Sequence, residues 1–427
     1  MKKLLIALGI LIVVYLGAFI FIKSTSGDLM AQEIEQMKKY QLSAEVVSEE
    51  SGLFSSTAKM DVKGAGQSEV LFSIEQTNSY GPILFTNDGI KFGLIHISAD
   101  LLPSEEMKKD IPEGVNAEDL FDINILTGFT GGVEGDIYFK GLDFADKDAQ
   151  INMSPAEFHF VSDAGYQTVK GDASWPGLTV TAEGEDGMTV SGVNLTFDQT
   201  LVSGSFVDGT AIYSGAGAYT IDEVVFKDAQ QFFKLAKMEL GYKSDVQESG
   251  EAMDVSMSLK SDLVNVAGEK FTDSSLNIYF NNLDMASMKQ LGEISGKMQE
   301  SALKGENVQG YQMQLMNTMM QLAQNGPNIQ VKDTQITTED GLIKAMLDVN
   351  VDKNKVDPAN PMSTMMAVDA ILEASAPEAF FTKKGMAPML DQWAQMNYVV
   401  KDNGTLKVEA TFKNGMPLVN GQPMQGM

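Results

Sequence analysis

Two histidines and no cysteine limit what this 427-residue chain can do with a metal ion or a nucleophile. His96 sits in Phe92-Gly93-Leu94-Ile95-His96-Ile97, and His159 in Phe158-His159-Phe160, both inside strand-like runs. A zinc site draws three or four protein ligands, chiefly imidazoles and thiolates. With two imidazoles and no thiolate, a metal would need carboxylates around one of the histidines. Both histidines therefore read as structural, and zinc hydrolase chemistry is not expected. There is no Gly-x-Ser-x-Gly elbow, and no serine stands in a recognisable pattern with a histidine. The 58 acidic residues offer too many pairs for one catalytic pair to be singled out. The chain reads as non-catalytic, with no cofactor and no resident metal.

Two local patterns imitate ligand loops. Asp146-x-Asp148-x-Gln150-x-Asn152-x-Ser154-x-x-Glu157 places oxygen donors at the offsets of a calcium loop. Its sixth position is Ile151, where the sharp turn needs glycine, and its flanks look like strands. Residues 128–135, GFTGGVEG, are glycine-rich, but a phosphate cradle feeds a helix. Here residues 133–139 read as a strand, so the glycines make a hairpin turn.

The remaining candidate chemistry is apolar. Residues 311–327 read YQMQLMNTMMQLAQNGP, with four methionines in eight residues. On a helix at about 100° per residue, Tyr311, Met313, Leu315, Met316, Met319, Met320, Leu322 and Ala323 share an arc of roughly 200°. Gln312 intrudes, and Gln314, Asn317, Thr318, Gln321, Gln324 and Asn325 fill the other side. Seventeen of the 27 methionines lie from Met285 onward. Methionine is unbranched and polarizable, and it adapts to irregular apolar shapes. One reading is a lining for an acyl chain or other hydrophobe, with Tyr311, Leu315, Met316, Met319, Met320 and Trp175 as contacts. The other is plain core: a helix covering a sheet needs an apolar face, and Trp175 packs against that sheet.

The elements that must hold these residues begin at a membrane. Lys2 and Lys3 precede an uncharged run, residues 4–22. At about 1.5 Å per residue the run spans roughly 28 Å, one hydrocarbon thickness. It is longer than the usual core of a cleaved signal, so a retained anchor is expected. Ser24-Thr25-Ser26 offers a small-residue cleavage site, the alternative. The lysine bias places the amino terminus in the cytoplasm and the rest outside, in the periplasm of a two-membrane bacterium. The partners expected are the inner membrane through residues 4–22, a hydrophobic ligand, and an envelope protein.

The formal charge is −27, with no arginine in the sequence. Lys2, Lys3 and Lys23 are the only charges before Asp28, which leaves −30 on residues 28–427. That charge repels nucleic acid and anionic headgroups, and the arginine fork that reads phosphate is missing. Nucleic-acid binding is not expected. Without cysteine there is no disulfide and no lipid anchor on a thiol, so burial must stabilise the fold.

Residues 28–40 read as a short helix. From about 42 to 280 the pattern is β, with clean alternation at Met253, Val255, Met257 and Leu259 and again at Leu276, Ile278 and Phe280. Asn87-Asp88-Gly89, Gly131-Gly132, Asp163-Ala164-Gly165, Asp208-Gly209 and Ser214-Gly215 read as turns. Residues 103–119 read as a long loop or a small helical insertion, and a helix over 228–240 is possible. Residues 283–304 and 308–325 read as two helices, 329–351 as strand, and 358–397 as helical with a break at Ala376-Pro377. Leu406, Val408, Ala410 and Phe412 close the chain as a strand. The expected class is α+β, mainly β: an N-terminal transmembrane helix, then a long, curved antiparallel sheet partly covered by methionine-rich helices. The expected regions are 1–26, the anchor; 27–281, β-rich; and 282–427, α+β.

Ser51-Gly52-Leu53-Phe54-Ser55-Ser56-Thr57-Ala58 resembles a strand near the start of the YdgA-like family, uncharacterised proteobacterial envelope proteins. Gly27, Glu33, Tyr80-Gly81-Pro82, Gly171-x-x-x-Trp175-Pro176-Gly177, Pro327-x-Ile329 and Asn420-Gly421-Gln422-Pro423 match it in order. The resemblance implies an inner-membrane anchor and a large periplasmic region, and it supplies no catalytic residues. The lack of arginine departs from the members expected of that family.

Overall fold

The computed structural model describes residues 42–423, apart from 53, 65–68, 87–88, 106–107, 109–119, 147–148, 183–186, 205–210, 229–230, 304–306, 358–359 and 361. The expected membrane span, residues 4–22, and the helix at 28–40 lie outside the described residues, as does most of 103–119. Among the described residues no helix is long and apolar enough to cross a membrane. The chain divides near residues 201–209 into two compact units. The composition shift at 281/282 falls inside the second unit, where a strand passes directly into a helix.

Unit 1 begins as a run of short strands with sharp alternation and ends in two long ones. They are β1 (Leu42–Ser51), β2 (Ser55–Gly64), β3 (Val70–Tyr80), β4 (Ile83–Thr86), β5 (Gly89–Phe92), β6 (Ile95–Pro103) and β7 (Phe121–Thr127). Then come β8 (Val133–Phe139), β9 (Leu142–Asp146), β10 (Ala149–Met153), β11 (Ala156–Ser162), β12 (Thr168–Ala182) and β13 (Gly187–Ser203). The ladder runs β1-β2-β3-β6-β7-β8-β11-β12-β13, antiparallel throughout. The far half of β12 also takes β10, which pairs with β9. One face closes a core of Met60, Val62, Phe72, Ile74, Ile97, Ile123, Ile125, Ile137 and Phe160. Period-two alternation puts these side chains on one side and their neighbours in water. Toward one end that face turns polar. Gln76 Nε2 donates to Asn78 Oδ1 (2.7 Å), and Asn78 Nδ2 to Ser56 Oγ (3.3 Å), which lies 2.9 Å from the Tyr80 hydroxyl.

Unit 2 opens with four long strands: β14 (Ile212–Lys227), β15 (Phe232–Val246), β16 (Ala252–Val266) and β17 (Glu269–Asp284). Two helices follow, α1 (Met285–Leu303) and α2 (Gln309–Gln324), then β18 (Asn328–Thr338) and β19 (Gly341–Val351). After α3 (Met362–Ala367) come β20 (Val368–Pro377), α4 (Glu378–Thr382), α5 (Ala387–Gln395) and β21 (Val400–Asp402). The chain finishes with β22 (Thr405–Lys413), β23 (Met416–Val419) and β24 (Gln422–Pro423). Neighbours in sequence pair from β14 to β20; β20 then pairs β22, which also carries β21 and β23, and β24 pairs β23. Lys237, Asp273 and Asp333 hold positive φ (53°, 49° and 49°) inside three of these strands. Asp273 and Asp333 sit where the pairing register shifts, and such bulges bend and twist a strand; at Lys237 the pairing is interrupted without a shift.

Three readings are corrected here. Residues 228–240 do not form a helix, because Phe232–Val246 is strand β15, laddered on both sides. The apolar alternation changes parity at Lys237, which holds a positive φ, so Phe233, Leu235, Ala236 and Met238 imitate a helical cluster. Val368–Pro377, read as helical, is strand β20, held between β19 and β22. Two ladders override a weak alanine-rich helix propensity. Ser214-Gly215 lies inside β14 and is no turn.

Candidate functional site

Helix α2 carries the methionine stretch, and its buried side differs from the expected one. Thr318 is fully buried, and Tyr311, Leu315 and Leu322 are half-buried around it. Met313, Met316 and Met319 are 66%, 60% and 54% exposed, and Met320 is half-buried. Counting threonine as polar caused the misplacement. The Thr318 hydroxyl donates to the Gln314 carbonyl one turn back (3.0 Å), which hides its polarity inside the helix. The covered positions are thus 311, 315, 318, 322 and the buried Ala323, which was expected on the apolar side, and three of the methionines form an outward ridge.

Helices α1 and α2 pack on each other, and the Tyr311 hydroxyl lies 3.3 Å from Ser301 Oγ. They meet the sheet at the ends of its strands. Met253, Leu283 and Met285 form a buried cluster there with Val246, Val255, Phe280, Met288 and Leu322. Helix α5 covers a different part, where Leu390 packs with Leu406, Val408 and Phe381.

The sheet face between these covers is apolar across six strands. Tyr242, Met257, Ile278, Val331, Leu347 and Leu372 stand opposite one another in register. A second row begins Tyr219, Leu240, Leu259 and Leu276. Leu240, Met257, Leu259 and Leu372 are between 37% and 42% exposed, so this part of the face is only half covered. Burial pushes the Tyr219 phenol pKa up from its ordinary value.

The opposite face of the same strands is polar and bears a cavity of about 900 Å³. Lys260, Lys332, Lys344 and Lys407 reach it, beside Glu373 and Glu409, which stand directly opposite each other. Lys407 is paired with Asp402 (2.6 Å) and Lys260 with Glu239 (4.0 Å).

Trp175, on β12, belongs to unit 1, whereas the other five residues lie on α2 of unit 2. It is half-buried, and its Nε1 donates to the Ser154 carbonyl (3.2 Å). Beyond Pro176, Gly177 (φ 140°) passes so close to β13 that a Cβ would lie 1.9 Å from the Val190 carbonyl oxygen. Glycine at this point of the tryptophan motif is therefore a packing requirement.

His96 is buried in unit 1. His159 points outward from β11, opposite Asp136 of β8, with Nδ1 2.7 Å from Asp136 Oδ1. Glu134, two residues along the same strand, joins them, and the three side chains bring their ligand atoms within 4.8 Å of one another. Sequence reading had not singled out the two carboxylates. The Glu-x-Asp spacing in a strand was visible, but which strand pairs with which was not. The calcium-like run at 146–157 falls on β9, β10 and the start of β11, as strand flanks require. The glycine-rich run at 128–135 is the hairpin between β7 and β8.

The fold and these surfaces define a mainly β protein of long antiparallel ladders with a few helices. The family described as "Bacterial protein of unknown function (DUF945)" matches residues 1–426, and the chain belongs to that family. It is also similar to Protein YdgA of Escherichia coli (strain K12), 22% identical over 320 residues. That match covers 69% of this chain and 62% of the length of YdgA. The order of weak motifs noted in the sequence thus identified the family correctly. No solved structure matches the chain significantly.

Proposed function

We propose that this chain is a non-catalytic cell-envelope protein, held in the inner membrane by residues 4–22 with the remainder in the periplasm. It shields a lipid acyl chain or a similar hydrophobe against the apolar sheet face of unit 2, beside the methionine-rich hairpin of α1 and α2. The observation that carries this reading is the half-covered apolar field around Leu240, Met257, Leu259 and Leu372. An acyl chain laid on that field would gain about 0.8 kcal/mol per buried methylene. The uncharged run at 4–22 supports the anchor, and the lysine bias supports its orientation.

The test is mass spectrometry of an organic extract from the purified, folded full chain. Stoichiometric lipid is expected, and its loss is expected in the folded double variant Met257→Asp with Leu259→Asp. A clean extract from the folded wild-type chain overturns the reading. Loss only in Met316→Asp with Met320→Asp would move the ligand from the sheet to α2.

A second reading, an interaction module that meets a basic envelope partner through its acidic surface, draws on the pair Glu373 and Glu409. These like charges face each other across β20 and β22, on a face where a basic partner could reach both. A salt-sensitive complex lost in Glu373→Gln with Glu409→Gln would favour it.

A further inference from the structure

We propose that His159, Asp136 and Glu134 form a divalent transition-metal site on the outer face of unit 1, with Zn²⁺ as the fitting ion. This inference is independent of the hydrophobe reading and concerns a different unit. In a strand, residues two apart share a face, so Glu134 and Asp136 both project outward from β8. Antiparallel pairing sets His159 of β11 directly opposite Asp136. Directly opposite residues bring their Cβ atoms to about 5 Å, and the diagonal one to about 7 Å. These are spans that one ion bridges at about 2.0–2.2 Å per ligand. The three ligand atoms already lie within 4.8 Å of one another, so small rotations of exposed side chains close the site. The ion would take the place of the proton between Nδ1 and Asp136 Oδ1, now 2.7 Å apart, and water would fill its open positions.

Two further observations favour a cation here. The first is local charge. Asp172 of β12 faces His159 from the other side, so three carboxylates surround one imidazole. Among the described residues none of the three is paired with a lysine. Lys170, two residues from Asp172 on β12, is engaged by Asp198 at 2.8 Å. The second is the support beneath the ligands. Gly135, between Glu134 and Asp136, has no side chain because the Phe160 ring occupies its place. A Cβ there would lie 2.1 Å from that ring. Phe160, adjacent to His159, is 1% exposed in the unit 1 core. The two ligand-bearing strands are therefore locked together from the inside, and such rigid backing preorganises a site.

Because the chain has only two histidines, the test has a built-in control. The full chain, labelled at the histidine ring carbons and stripped of metal, is titrated with Zn²⁺ and followed by NMR. The His159 signal is expected to shift and saturate at one equivalent, while the buried His96 signal stays in place. Asp136→Asn and Glu134→Gln are each expected to weaken binding about tenfold or more, with the His96 signal confirming that the core is intact. A His159 signal that does not move, or one that drifts without saturating and ignores both substitutions, overturns the site. In that case the imidazole and carboxylates form a structural hydrogen bond only.

Discussion

Units 1 and 2 are built from the same alternating pattern and use it differently. In unit 1 the inward positions of β2, β3, β6, β7 and β8 are almost wholly buried, and they form one core with Phe160. In unit 2 the strands reach 15 or 16 residues, yet most positions on both faces are only half-buried. Its clusters lie at the strand ends under α1 and α2 and around β22 under α5. Alternation thus determines which face is apolar and leaves open what covers that face. A sheet that lengthens without gaining a second layer keeps its ladder but leaves apolar surface for something else.

The sharpest way to break this contrast is to truncate one large apolar side chain in each unit. Phe160→Ala is expected to cost about 3–5 kcal/mol, because it empties a fully packed site. Leu259→Ala is expected to cost under about 1 kcal/mol, because its side chain is already partly in water. Denaturant unfolding can follow the units separately, since Trp175 lies in unit 1 and Trp393 in unit 2. Equal losses would mean that unit 2 holds a core as tight as that of unit 1.

A smaller effect tests the helical cap of unit 2. Thr318→Asp places an unpaired charge in a fully buried position and is expected to destabilise unit 2 by about 2–4 kcal/mol. Met316→Asp, on the outward ridge, is expected to stay within about 0.5 kcal/mol. Trp393 fluorescence during unfolding reads both. A reversed order would restore the helix orientation expected from hydrophobic counting alone.

The smallest effect concerns Tyr219. Burial raises its phenol pKa, so the folded chain keeps the proton where the unfolded chain has begun to lose it. Stability contributed in this way is complete below the ordinary phenol value and declines as pH rises through the raised one. Tyr219→Phe should flatten that decline, measured as unfolding midpoints between about pH 9 and 11. Lys63, Lys237, Lys383 and Lys401, raised by their carboxylate partners, are the same in both proteins and cancel in the comparison. An unchanged decline in Tyr219→Phe would mean that the apolar face does not desolvate this ring.

Much of the fold was legible where alternation is clean. Met253 to Leu259 and Leu406 to Phe412 are strands as expected, and Asn420-Gly421 is the turn between β23 and β24. The helical pair at 283–325 was legible from its period. Reading failed where the apolar alternation changes parity, at Lys237, and where flanking ladders decided the outcome, at Val368–Pro377. The candidate sites were less legible for a common reason. The two carboxylates beside His159 and the two rows of the apolar face depend on strand register, which no single segment encodes. The burial of Thr318 depends on a hydroxyl satisfying itself within its own helix.

The pairing of β1 has a mechanical consequence. Leu42 stands opposite Gly64, while the hairpin connection lies at the far end, beyond Ser51 and Ser56. Tension entering the chain at residue 42 would therefore load the β1–β2 rungs one after another and never all together. Each rung contributes only about 0.5–1.5 kcal/mol, and the register slip between Val46 and Ser48 gives the zipper a natural pausing point. The protein is thus compliant at the very strand that follows its N-terminal segment, and a pull that peels β1 from β2 would be absorbed there before the remaining strands of unit 1 felt a load.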